Sequence, residues 1–175
     1  LKITFTGPES SGKSTISKAV AEHLDAQWFP EHAREYLLKK NGKYEFGHIE
    51  QIAINQEIIR NANAESGLKI YDTENIVLYI WSTFKYNKCD ESVQKLMENQ
   101  RFSHYFLCSP EDIPWEDDPL RENPNQREEL FELYLAELKK LNADFTILKG
   151  NFEERKEKAI SIIEELSLSK GGFCV

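Results

Sequence analysis

The sequence has no C-x-x-C pair, no two histidines at metal-ligand spacing and no apolar run long enough to span a bilayer. Its three cysteines, Cys89, Cys108 and Cys174, are odd in number and widely spaced, which argues against a disulfide framework or a zinc site. They read as ordinary thiols of a reducing compartment. His23, His32, His48 and His104 read as no metal site. Basic residues are also short: 22 Lys and Arg stand against 30 Asp and Glu, a formal net charge of −8. A broad surface for nucleic acid or an acidic membrane needs a basic face, so neither is an expected partner, although a small basic pocket is compatible with this balance. No signal peptide precedes the first strand, and the expected location is cytoplasmic. No repeat and no interdomain linker stands out, and the chain carries no signal for an oligomeric state. The length of 175 residues suits one domain with a sizeable core.

What is there begins with Gly7-Pro8-Glu9-Ser10-Ser11-Gly12-Lys13-Ser14-Thr15, which fits G-x-x-x-x-G-K-[S/T] without a mismatch. Such a match arises by chance roughly once in 10⁴ to 10⁵ positions at average composition. Lys2 to Thr6 reads as a strand entering the loop, and Ser14 to Leu24 as a helix leaving it. Glycine lets the backbone turn its N–H groups inward, and the new helix adds its positive end. Lys13 then reaches the β- and γ-phosphates of a nucleoside triphosphate such as ATP, and the Ser14 hydroxyl binds Mg²⁺.

Strand-like and helix-like segments alternate along the rest, the pattern of an α/β parallel sheet flanked by helices. Strands are expected at Gln27 to Phe29, Leu68 to Tyr71, His104 to Cys108 and Phe145 to Leu148. Helices are expected at Ala33 to Lys40, Ile49 to Ala64, Ile76 to Tyr86, Ser92 to Gln100, Gln126 to Leu141 and Glu153 to Leu166. The stretch of about 109–127 holds four of the six prolines and reads as a functional lid. Residues 1–168 are expected to form one domain and 169–175 a frayed tail.

Several side chains then suggest chemistry. Asp72 is expected at the carboxyl end of a central strand, where it orients Mg²⁺ beside Ser14; a helix cap at Asp72 or Thr73 is the other reading. Glu31-His32-Ala33-Arg34-Glu35 follows the short second strand. A carboxylate there accepts a hydroxyl proton and Arg34 clamps the acceptor or the moving phosphoryl, or the acids merely favour a helix start. Arg121 and Arg127 at the lid end close over phosphates and exclude water; Arg127 is otherwise a solvated charge over Leu130 and Phe131. Trp115 stacks on a flat ring or anchors the lid. Arg155 contacts the nucleotide base or is a helix-surface charge.

In series, the Gly7 to Thr15 loop, Glu31-His32-Ala33-Arg34-Glu35-Tyr36, the strand end Asp72-Thr73 and the segment from Pro114-Trp115 to Leu120-Arg121 resemble the ribosylnicotinamide kinase domain of the NadR type, over about Lys2 to Leu166. The resemblance implies a P-loop NTPase three-layer sandwich, thymidylate-kinase-like, with a five-stranded mostly parallel sheet and a lid. It implies ATP- and Mg²⁺-dependent phosphorylation of the 5′-hydroxyl of nicotinamide riboside to nicotinamide mononucleotide, a step of NAD salvage. The matching positions are Gly7, Glu9, Ser10, Ser11, Gly12, Lys13, Ser14 and Thr15 for the nucleotide, and Glu31, Arg34, Glu35, Asp72, Trp115, Arg121 and Arg127 for acceptor and transfer. Glu9 is expected to face the acceptor. The adenylyltransferase and repressor activities of longer NadR-type proteins are not carried over. Pro119 stands where the family more often has glycine, which bears on lid flexibility and acceptor preference. Two other readings remain: a kinase for another nucleoside or nucleotide, and a non-catalytic ATP-dependent switch.

Overall fold

The run His104-Tyr105-Phe106-Leu107-Cys108 has apolar side chains at both parities, the pattern of a strand covered on both faces. In the computed structural model, which describes residues 1–62 and 66–171, this run is the buried strand β4 (His104–Cys108). Around it lie β1 (Lys2–Thr6), β2 (Gln27–Phe29), β3 (Lys69–Asp72) and β5 (Phe145–Leu148), in the order β2-β3-β1-β4-β5. All four pairings are parallel. Parallel neighbours need crossover connections, and helices supply them. These are α1 (Lys13–His23), α2 (His32–Lys39), α3 (Phe46–Ala62), α4 (Asn75–Tyr86), α5 (Glu91–Asn99), α6 (Arg127–Lys140) and α7 (Phe152–Gly171).

Strand alternation decides the layers. Phe106 and Cys108 join Ile3, Phe5 and Ile70 in a core with Ile16 and Val20 of α1 and Ala159 and Ile163 of α7. Tyr105 and Leu107 point the other way, into a core with Ile76 and Ile80 of α4 and Leu130, Tyr134 and Leu138 of α6. The result is helix, sheet, helix. Phe5 and Phe106 are register partners whose rings sit 4.9 Å apart, both fully buried. Each such side chain contributes about 2–3 kcal/mol.

Two expectations need revision. The helix expected to end at Leu166 runs on as α7 to Gly171, where Ser167 donates back to Ile163 O at 2.8 Å instead of fraying the turn. The cap of α4 is neither Asp72 nor Thr73: fully buried Glu74 caps it, accepting from Ile76 N at 2.6 Å and Thr6 Oγ1 at 2.7 Å. Cys89 and Cys108 are free thiols, whereas Cys174 lies outside the described residues. No helix among the described residues is long and apolar enough to cross a membrane.

Candidate active site

The carboxyl ends of β1, β3 and β4 converge on the loop from Gly7 to Gly12. Gly7 has φ 131°, and a Cβ there would meet Cys108 O at 2.7 Å, so a side chain is excluded by both conformation and space. Ser10 (φ 52°) and Gly12 (φ 80°) are also left-handed, which turns successive N–H groups to one side. The start of α1 has no side-chain cap, so its first N–H groups are available to an anion. Ser11 Oγ donates to Pro8 O at 2.8 Å and Lys13 Nζ to the same carbonyl at 2.6 Å, which folds the ammonium over the loop. Ser14 and Thr15 are exposed at its rim.

Asp72 ends β3 opposite Phe5 and is 3% exposed. Burial raises its pKa, opposed by a hydrogen bond from the Ser14 hydroxyl, by Lys13 and Arg34, and by the Glu31 main-chain N–H. Its Oδ1 is buried with no hydrogen-bond partner. A carboxylate with a free oxygen, joined to an exposed hydroxyl beside a phosphate loop, fits a hydrated Mg²⁺, a hard cation that takes oxygen ligands. Glu31 follows β2 at the start of α2 and makes no cap bond. Burial pushes its carboxyl to about 7 from 4.5, aided by the Asp72 charge and resisted by Lys13 and Arg34. Its charge state therefore changes near neutrality.

Glu31 and the loop residues Glu9 to Thr15 line one cavity of about 400 Å³. Its far end is built by residues the sequence reading passed over: Tyr44, Val77, Trp81, Phe84 and Lys85. Trp81 Nε1 donates to Tyr44 Oη at 2.9 Å, and the two rings meet edge to face at 4.7 Å. Lys85 Nζ donates to Tyr44 Oη at 2.6 Å and to Glu122 at 2.7 and 2.8 Å. Trp81 and Phe84 lie on α4, where the apolar stripe reads as core, and Tyr44 lies in the α2–α3 connection. The aromatic doublet Trp81–Phe84 at i,i+3 is the one signal that was present.

Segment 109–126 has no helix or strand and lies across the loop as a lid. Glu9 Oε2 accepts from the main-chain N–H groups of Glu122 and Asn123 at 3.1 and 3.0 Å. Glu9 thus contacts the lid and also lines the cavity. Ser10 Oγ accepts from Glu116 N at 3.0 Å, and Arg127 donates to Ser10 O and Ile113 O at 3.0 and 2.9 Å. Arg127 is therefore no solvated charge. It fastens the lid to the loop and does not line the cavity. Arg121 does line it, donating to Glu116 O at 2.5 Å. The Arg121 and Arg127 guanidinium groups lie 6.0 and 5.9 Å from the Trp115 ring, which is absent from the cavity wall.

Arg34 lines the cavity, but its guanidinium is paired with the lid carboxylate Asp118. Glu35 pairs with Lys39 at 2.6 Å on the exposed side of α2. It borders a second concavity of about 440 Å³, shared with Glu31, Arg34 and Asp72, and not the first. Arg155 is neither a surface charge nor available to a base. It is fully buried and donates to Gly150 O, Ser11 O, Ser109 O and Glu111 O at 2.7, 3.2, 2.9 and 2.8 Å. It ties the loop, the end of β4 and the lid start together.

This arrangement is that of a P-loop kinase fold. The sequence model of the family described as AAA domain matches residues 2–155, and the chain belongs to that family. No curated protein sequence matches it significantly. Among solved structures, a NadR protein in complex with NR is similar with a TM-score of 0.73 at 20% identity, over 93% of this chain and 50% of that one. A deoxyadenosine kinase from M. mycoides gives 0.65 at 16% identity, over 94% and 100%. Thymidylate kinase from Ehrlichia chaffeensis gives 0.67 at 14% identity, over 92% and 97%. The chain spans about half the length of the NadR chains it matches.

Proposed function

We propose that this chain transfers the γ-phosphoryl group of ATP to the 5′-hydroxyl of a nucleoside, with nicotinamide riboside as acceptor and nicotinamide mononucleotide as product, in cytoplasmic NAD salvage. The observation that carries this reading is the continuity of one cavity from the phosphate loop, past Glu31, to the aromatic end at Tyr44, Trp81 and Phe84. A triphosphate gripped at one end and a flat ring held at the other leave the ribose beside Glu31. The likeness to a NadR protein in complex with NR supports the same acceptor.

In this mechanism the loop N–H groups and Lys13 hold the β- and γ-phosphates. Ser14 and Asp72 would hold Mg²⁺, which neutralises charge building on the transferred phosphoryl. Glu31 accepts the proton of the 5′-hydroxyl as its oxygen bonds to the γ-phosphorus and the bond to the β-phosphate oxygen breaks, releasing ADP. Arg121 on the lid faces the phosphoryl group and helps exclude water.

A nucleotide acceptor, as for thymidylate kinase, needs a free cation for its own phosphate. Arg34 is committed to Asp118 and Lys85 to Glu122, which favours a nucleoside. The test is ADP release with ATP and, in turn, nicotinamide riboside, deoxyadenosine, thymidine and thymidylate. A kcat/KM for nicotinamide riboside at least tenfold above the others is expected; equal or better turnover of thymidylate would reject the assignment.

A further inference from the structure

Glu122 touches both ends of the cavity with its own atoms. Its main-chain N–H is held by Glu9 of the phosphate loop at 3.1 Å. Its carboxylate, on a side chain 38% exposed, is held at the aromatic end by Tyr44 Oη at 2.8 Å and Lys85 Nζ at 2.7 Å. The direction of these bonds is determined. Tyr44 Oη already accepts from Trp81 Nε1 and Lys85 Nζ, so its single hydrogen is left for Glu122. Burial pushes the Tyr44 hydroxyl up to about 12, so it remains a donor throughout the neutral range. Tyr44, Trp81, Lys85 and Glu122 all line the cavity. A ring entering against Tyr44 and Trp81 must act on the hydroxyl and ammonium that grip Glu122.

We propose that Glu122 is the positioning residue that couples acceptor binding to the phosphate loop, making triphosphate cleavage depend on the acceptor. The inference rests on the kinase reading above. The competing reaction is hydrolysis: a water oxygen bonds to the γ-phosphorus, the bond to the β-phosphate oxygen breaks, and ADP, inorganic phosphate and a proton leave. The lid suppresses this only while it stays on the loop. Glu9 holds the backbone of residues 122 and 123, and Arg127 holds Ser10 O. The Glu122 side chain makes the lid position sensitive to the acceptor wall through Tyr44 and Lys85. Removing its carboxylate leaves the loop, Lys13, Asp72 and Glu31 intact but cuts the link between the two ends.

The test compares ADP release with ATP alone and with ATP plus nicotinamide riboside, in wild type, Glu122→Ala, Tyr44→Phe and the double variant. Glu122→Ala is expected to raise the ratio of acceptor-independent to acceptor-dependent ADP release at least tenfold, with the KM for ATP within twofold of wild type. Tyr44→Phe keeps the ring, removes only the hydroxyl, and is expected to shift the ratio the same way. Because both act through one link, the double variant should be no more uncoupled than Glu122→Ala alone. A Glu122→Ala enzyme coupled as tightly as wild type, or a double variant whose uncoupling is the product of the singles, overturns the inference. Wild-type protein whose ADP release ignores the acceptor overturns the kinase reading itself, and this inference with it.

Discussion

Asp72 and Glu31 line one concavity, and the Asp72 charge adds to burial in pushing the Glu31 carboxyl to about 7. One acid lies at the end of β3, the other just past β2, and these strands are paired neighbours. Parallel pairing thus delivers both carboxylates to the same edge of the sheet, beside the loop that follows β1. Their roles separate through their surroundings: Asp72 is tied to the Ser14 hydroxyl, whereas Glu31 lines the cavity the acceptor would fill.

The first prediction concerns pH and rate. A general base must be ionised, so kcat/KM for the acceptor should fall about tenfold per pH unit below about 7 and level off above it, since this parameter reports the free enzyme. Glu31→Gln should lower kcat by about 10²–10⁴-fold and abolish that acid limb. A profile flat from pH 6 to 8 in wild type would remove Glu31 from the base role.

The same group makes a prediction about stability with a definite sign. Below about 4.5 Glu31 is protonated in both folded and unfolded chains. Between about 4.5 and 7 the native state keeps a proton that the unfolded chain has lost, so this group's contribution destabilises the fold increasingly as pH rises through that window. Above it the full penalty applies. Glu31→Gln should therefore melt higher than wild type at pH 8, by about 5 °C, and the gap should close on approaching pH 4.5. Thermal denaturation followed by circular dichroism at several pH values measures this.

Local signals in the sequence reached as far as local physics does. The runs Gln27 to Phe29, His104 to Cys108 and Phe145 to Leu148 match β2, β4 and β5 residue for residue, because short apolar stretches bounded by turn residues have few alternatives. The phosphate loop was legible for the same reason: its function depends on backbone conformation within nine consecutive residues. Tyr44, Lys85 and Glu122 were not legible, since their meaning arises only when residues about 40 apart in sequence meet. Arg155, flanked by Glu154 and Lys156, reads as a surface charge. Only the folding of three loops over the start of α7 buries it.

That burial makes Arg155 the subject of a third prediction. Four main-chain carbonyls depend on its donors, and desolvation lowers its pKa against the opposing charges of Asp112 and Glu111. Arg155→Met keeps the volume and strands those carbonyls. The loss should be about 3 kcal/mol or more, read as a lower urea midpoint at unchanged m-value. Arg155→Lys should recover little of it, because one ammonium cannot span the four acceptors. A midpoint within error of wild type would show that water satisfies these groups equally well.

The fourth prediction separates two tryptophans, Trp81 and Trp115. Trp81 lines the cavity and orients Tyr44 through its ring N–H; Trp115 lies 6.0 and 5.9 Å from the Arg121 and Arg127 guanidinium groups, away from the cavity wall. A flat acceptor ring gains about 1–3 kcal/mol from an aromatic face it stacks on or packs against, so Trp81→Ala should raise the acceptor KM by about tenfold or more while the KM for ATP stays put. Trp115→Ala should leave the acceptor KM within about twofold, because stacking that does not involve the ligand cannot enter its affinity directly. Its effect should instead fall on the lid, as faster proteolytic cleavage within residues 109–126. Steady-state kinetics of both variants with nicotinamide riboside and ATP decide the matter: an acceptor KM that responds to Trp115 and not to Trp81 would place the ring under the lid and leave the Tyr44–Trp81 end of the cavity without a ligand.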